Sequence, residues 1–281
     1  MAINLASKYE PKLVQIYNRE SLLQGKINED YKWTGVQTVH VLTATTQDLN
    51  DYDRDGSDRN GVWRYGKPTD VQDTKQDMTL NLDKSFSMVI DRADFEDQVM
   101  AKKAGEVVRA QIGEKVTPFF DSNALLTWAA AAGQTSTISG TNVDKDTVLD
   151  MFIDAHTKFF NANFNRDLFA YVTSTTYGKL LRNPEFISVD KLGEKVLSNG
   201  VVGKCMGIIV VEVPDAYMTG YQAIFTHKKS VLAPVKINEL KIHTDAPGIS
   251  GSLIEGRYYG GAFVLTTLNK GVIACAAGPT L

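Results

Sequence analysis

The 281-residue chain holds only two cysteines, Cys205 and Cys275, far apart and each set in an apolar, strand-like run. That placement excludes a disulfide framework and suits buried thiols in a reducing compartment. Long apolar runs are missing as well: nowhere do about eighteen apolar residues stand together, so no membrane-spanning helix and no membrane partner are expected. The opening MAINLASKYEPKLVQIY carries Lys8, Glu10 and Lys12 where a signal peptide needs an apolar core. Excess positive charge is absent, the formal net charge being -3, so attraction to polyanions would require a local basic patch that the sequence does not show. Catalytic constellations are wanting too. The four histidines, His40, His156, His227 and His243, are scattered, and GVVGKC at Gly200 lacks the spacing and the Ser or Thr of a phosphate loop. No nucleophile elbow, zinc-protease pair, paired C-x-x-C or strand-to-helix G-x-G-x-x-G occurs. These absences weigh against an enzyme and imply no cofactor and no metal.

What is present begins with a rod. Residues 91–132 read as one long amphipathic helix continued by a second, with Met100, Ala104, Val107, Val108, Ile112 and Val116 spaced by three and four on one face. Asp91, Asp94, Glu96 and Asp97 precede Lys102, Lys103, Arg109 and Lys115, an order that complements the helix dipole. From residue 94 to 116 such a helix spans roughly 35 Å. Thr117-Pro118 reads as an N-cap followed by proline at the first helical position, which predicts a kink and a new helix through Leu125 and Trp128.

Around the rod the chain divides into further parts. Residues 1–33 mix aromatics with charges, are interrupted by Pro11 and Gly25, and are too short to fold alone, so their apolar side chains must lie on this subunit or on a neighbour. VQTVHVLTATT and the stretch from Thr74, TKQDMTLNLDKSFSMVI, predict two long strands of a hairpin. Between them, residues 48–73 form a long polar connection, and connections of that length inside a domain are commonly functional. Its Tyr52, Trp63 and Tyr65 beside Arg54, Arg59, Arg64 and Lys67 have the composition of a binding hot spot. Asp51, Asp53, Asp55 and Gly56 match the opening of an EF-hand loop, but the position that needs an acid is Val62 and the upstream flank is strand-like. The aspartates are therefore expected to pair with arginines or stay solvated.

GQTSTISGTN predicts a linker at residues 133–142, and the next segment a helix capped by Asp144, with His156 a packing residue beside its apolar face. DLFAYVTS, GKCMGIIVVEVP, YQAIFTH and SVLAPVKI follow as continuous buried strands, with a short helix at TTYGKLLRN, and indicate an α/β or α+β module. The last strands, ending in VIACAA, are expected to return to the long helix.

The order of these parts, together with ASKYEPKLVQIY, DKSFSMVIDRADFED, KVTPFFD and SLIEGRYYGGAFVL, resembles the major capsid proteins of tailed bacteriophages with the Hong Kong 97-type fold. The resemblance spans essentially the whole chain. It implies an α+β fold with an N-terminal arm at 1–33 and an E-loop hairpin with its flanking strands at 34–90. It further implies a spine helix at 91–133, an axial domain at 134–235, and peripheral-domain strands at 236–281. As a function it implies self-assembly into an icosahedral shell of hexamers and pentamers around double-stranded DNA. The intersubunit contacts expected are Tyr9, Tyr17, Trp33, Tyr52, Arg54, Arg59, Trp63, Arg64, Tyr65 and Lys67. A separate scaffolding protein and a portal are expected partners, as no long charged helical prologue precedes the arm, and a decoration protein is a further one. Packaged DNA would be touched without sequence preference by an inner face of mixed sign, with Lys8, Lys12, Lys102, Lys103 and Arg109 near Glu10, Glu96 and Glu106. The location implied is the virion, with the host cytoplasm during assembly. Some members crosslink a loop lysine to an asparagine, for which Lys67 or Lys75 with Asn269 are the candidates here. Two alternatives stand beside this reading: an encapsulin-like shell around a cargo enzyme, and a soluble α+β enzyme.

Overall fold

The structure, a computed structural model, describes residues 21–33, 38–44, 46, 48–52, 54, 64–66, 68–71, 73–91, 104–183, 201–243 and 246–279. Strands β1 (Thr38–Ala44) and β2 (Asp73–Thr79) are followed by β3 (Leu82–Asp91). Helix α1 (Ala104–Gln111) runs through a π-helical turn (Ile112–Val116) into α2 (Thr117–Ala130). Then come β4 (Gln134–Thr135), α3 (Val148–Asn161), β5 (Leu168–Thr173) and α4 (Ser174–Leu180). Strands β6 (Val201–Cys205), β7 (Ile208–Val213), β8 (Tyr221–His227) and β9 (Val231–Leu232) lead to β10 (Val235–His243). Strands β11 (Gly251–Gly260), β12 (Phe263–Val264) and β13 (Val272–Ala276) finish the fold.

The main sheet has the order β4-β13-β8-β5-β7-β6 and is mixed, with β5 parallel to β7 and β13 parallel to β4. Every residue of β5 is buried, as expected of a strand covered on both faces. Because successive side chains alternate, Ala223 and Phe225 of β8 enter the core beneath α3, with Phe152, Ala155 and Phe159, while Ile224 enters the core beneath α2, with Leu125 and Trp128. Both cysteines are free and buried. The second sheet, β10-β11-β3, is wholly antiparallel, and its Ile90 and Ile254 pack against Val107, Val108 and Ile112. The C-terminal strands thus return to the helix, and β13 goes further, lying inside the main sheet between β4 and β8.

Several expectations are corrected. Asp91 is not helical: it ends β3, opposite Gly251, and residues 92–103, where the helix was expected to begin, lie outside the described residues. Thr117 is not an N-cap. Val116 has helical φ and ψ, and the Thr117 N–H donates to Ile112 O five residues back, so the rod stays continuous. Proline has no N–H to place and its ring crowds the carbonyl four residues earlier; the wider π turn just ahead of Pro118 meets both demands.

The strand from Thr74 breaks at Leu80-Asn81, because β2 pairs with β1 and β3 with β11, while Leu80 turns into a core with Met78 and Leu232. GKCMGIIVVEVP is a hairpin, turning at Met206 (φ 50) and Gly207 (φ 82), both in the left-handed region that a tight hairpin requires. SVLAPVKI splits at Ala233-Pro234 into β9 and β10. The stretch expected to be a linker supplies β4 to the sheet and buries Ser136. Asp144 does not cap α3. Thr147 is the N-cap residue, its hydroxyl accepting from the Asp144 N–H at 2.8 Å, so the polar side chain closes the turn before the helix.

Candidate functional site

The β1–β2 hairpin has an anchored base and an exposed end. Its register is fixed by seven paired residues, from Thr38 opposite Thr79 to Ala44 opposite Asp73. Across it the two threonine hydroxyls meet at 2.8 Å and His40 Nδ1 lies 2.6 Å from Asp77 Oδ1, with Lys75 Nζ at 3.3 Å. The bond to His40, aided by Lys75, holds the Asp77 carboxyl below the usual carboxylate range. Gln76 clamps the strand to the body: its amide donates to Val264 O at 2.9 Å and its carbonyl accepts from Thr266 N at 2.8 Å. Val41 and Met78 are buried beneath. Beyond this clamp the apolar side chains lose cover. Leu42, Leu49 and Val71 are exposed, as are Tyr52 (53% exposed) and Tyr65 (83%). The two tyrosine rings meet edge to face with centroids 5.0 Å apart, and Asn50 Nδ2 donates to Tyr65 O at 3.5 Å.

The root of the N-terminal segment is bound to α2. Ser21 Oγ donates to Asp121 Oδ1 at 2.7 Å and the Leu22 N–H to Oδ2 at 2.9 Å, while Leu23 joins the core around Leu125 and Trp128. Gly25, with φ 74, turns the chain so that Lys26 Nζ donates to Leu22 O at 2.6 Å. Asn28 then bonds Val231 O and Lys229 O. Burial raises the Asp121 carboxyl above its ordinary value and lowers the Lys26 ammonium. Trp33 closes this root: its indole N–H donates to Met78 O at 3.3 Å and its ring stacks on Phe263 at 5.8 Å.

The outward face of the β10-β11-β3 sheet carries charges of alternating sign. Arg257 grips Asp83 through both oxygens, at 3.0 and 2.6 Å, which lowers the Asp83 carboxyl and raises the guanidinium. Lys241 pairs with Glu239 at 3.5 Å and His243 lies 3.4 Å from Glu255. Among the described residues no group of three or more His, Cys, Asp or Glu side chains could hold a metal ion, and no helix is long and apolar enough to cross a membrane.

A sequence model of the family described as phage capsid protein matches residues 60–243, more than half of the chain. The chain belongs to the phage capsid protein family. Solved structures of similar shape agree. A protein of Mycobacterium phage Che8 is 18% identical with TM-score 0.72, and 98% of each chain is covered. The capsid of the cyanophage P-SCSP1u is 14% identical with TM-score 0.74, over 99% of this chain and 94% of that one. The mature capsid of bacteriophage PhiM1 is 14% identical with TM-score 0.70, over 98% and 93%. No curated protein matches. The fold is the α+β Hong Kong 97-type capsid fold, and the protein is a structural subunit of a capsid built from many copies, located in the virion. The compartment-shell alternative gains no support from these matches.

Of the contacts expected of this capsid protein, the structure leaves Tyr52, Arg54, Arg64 and Tyr65 on the surface of the hairpin connection. Trp33 is removed from that set, since at 4% exposure it is spent on its own subunit. Tyr9, Tyr17, Arg59, Trp63 and Lys67 lie outside the described residues, as do Asp53, Asp55, Gly56 and Val62 of the EF-hand-like stretch. His156 stacks on Phe160 at 4.4 Å, a packing role. Of the crosslink candidates, Lys75 is paired with Asp77, and Asn269 has its backbone against Gly133. Sequence reading missed Leu42, which alternation sets on the same open face as His40, and Val71, which lies ahead of β2, and missed Asp121, whose partners lie on a distant segment.

Proposed function

We propose that the protein is the major capsid subunit of a tailed phage, whose copies form hexamers and pentamers closing an icosahedral shell around double-stranded DNA. The observation that carries this is the hairpin: clamped at its base by Gln76 and exposing Leu42, Leu49, Tyr52, Tyr65 and Val71 beyond it. Covering a large apolar side chain is worth about 1.5–3 kcal/mol before association costs, so a few such contacts per neighbour, multiplied around a ring, favour assembly. In this reading residues 1–33 are the arm, 34–90 the E-loop with its strands, 91–133 the spine and 134–235 the axial domain, with 236–281 completing the peripheral domain. A separate scaffolding protein and a portal assist assembly in the host cytoplasm, and a decoration protein finds its place on the finished shell. DNA contact is sequence-independent and weakens with salt; Arg109, exposed on α1, is the one described cation of the expected inner set. The full chain expressed with and without a scaffolding protein tests this by light scattering and electron microscopy. Closed shells are expected, and a monomer under every condition would overturn the proposal.

A further inference from the structure

We propose that Asp121 is a proton-coupled latch, holding residues 21–29 against α2 most firmly when its carboxyl is protonated and loosening them as the proton leaves. The geometry gives the reason. Asp121 is 3% exposed, and among the described residues its oxygens accept from the Ser21 hydroxyl and the Leu22 N–H. A proton does not break this clamp. The Leu22 N–H still finds a carboxyl oxygen, and the Ser21 hydroxyl, which already accepts from the Leu23 N–H at 3.2 Å, can rotate to accept the carboxyl O–H. The carboxylate keeps the same two bonds but holds its charge on a side chain almost wholly withdrawn from water.

Among the described residues, four charged or titratable groups stand around it. Lys26 on the arm root offsets the carboxylate, although its Nζ is taken up by Leu22 O. Tyr171 of β5 faces Asp121 across the core, and Glu29 and Tyr258 line the same roughly 370 Å³ cleft between the arm root, the π turn and β10–β11. Burial raises the Asp121 carboxyl, whereas release of residues 21–29 opens it to water and returns it toward its ordinary value. The latched state therefore binds the proton more tightly. Latching through Asp121 is strongest in acid and weakens as pH rises through the raised value, while the Lys26 ammonium, lowered by burial, acts in the opposite sense as pH rises.

Hydrogen exchange of the full chain, corrected for intrinsic rates, reads this at Leu22, Gln24 and Lys26 between about pH 4 and pH 8. The wild type should lose protection as pH rises, and Asp121→Asn, which keeps an acceptor without a titrating proton, should lack that loss. Asp121→Ala should lose protection by tenfold or more at every pH, because the Leu22 N–H is left without its acceptor. Unchanged protection in Asp121→Ala, or the same pH dependence in Asp121→Asn as in the wild type, would overturn the proposal. Protection of β5 amides in each variant separates release of the arm root from unfolding of the subunit.

Discussion

Replacing Trp33 by alanine should destabilise the subunit itself. The indole is buried among Val41, Met78, Leu80, Leu232 and Leu265, stacks on Phe263 and donates to Met78 O. Removing it opens a cavity where the arm root, the hairpin base and β9 meet, and core Trp-to-Ala changes cost about 3–5 kcal/mol. Trp33→Phe keeps much of the apolar contact but leaves the Met78 carbonyl without its donor, a loss of about 1 kcal/mol. With an m-value of about 2–3 kcal/mol/M in urea, the alanine variant should unfold at a midpoint lower by roughly 1–2.5 M and the phenylalanine variant by about 0.4 M. The assay is circular dichroism of dissociated subunits, since tryptophan fluorescence would change with the substitution. An alanine variant whose midpoint stays within about 0.3 M of the wild type, yet which no longer assembles, would refute this reasoning and return Trp33 to the intersubunit contacts.

Tyr52 and Tyr65 should behave in the opposite way: the double alanine variant is expected to unfold within about 0.5 kcal/mol of the wild type while assembly yield falls, read by urea titration and by sedimentation. Met206→Asn should stabilise by about 0.5–1 kcal/mol, because asparagine tolerates the left-handed backbone before Gly207 better than methionine; thermal melting checks the sign. Gln222→Leu should destabilise by about 3 kcal/mol, since its amide bonds Thr141 O and Ala276 O and its carbonyl accepts from Val143 N, all buried or nearly so. Proteolysis of the C-terminal residues should quicken in that variant, and equal rates would show the contact to be idle.

The parts of this fold that could be read from the sequence are those governed by local pattern. The buried run of β5, the apolar face of α3 and the core strand β13 follow from spacing and composition, and the structure bears them out. What escaped depends on partners distant in the chain or on backbone choices with little signal. No glycine or proline marks the break at Leu80-Asn81; it arises because two different sheets claim the strands on either side. Met206 at positive φ is a poor turn residue by type, so the hairpin it forms read as one strand. Pro118 was visible, but whether proline starts a helix or sits behind a π turn depends on the turn before it. Tryptophan favours both interfaces and cores, so Trp33 could be placed only by seeing Met78 and Phe263 around it. Asp121 looks like an ordinary polar position until Ser21, 100 residues upstream, is seen to bond it.

The central claim is that the exposed end of the β1–β2 hairpin is covered by another copy of the chain. An electron-microscopy reconstruction of particles assembled from the full chain tests it most directly. The account predicts a closed shell in which Leu42, Tyr52, Tyr65 and Val71 of each subunit lie against a neighbour. A closed shell in which these side chains still face solvent would contradict it.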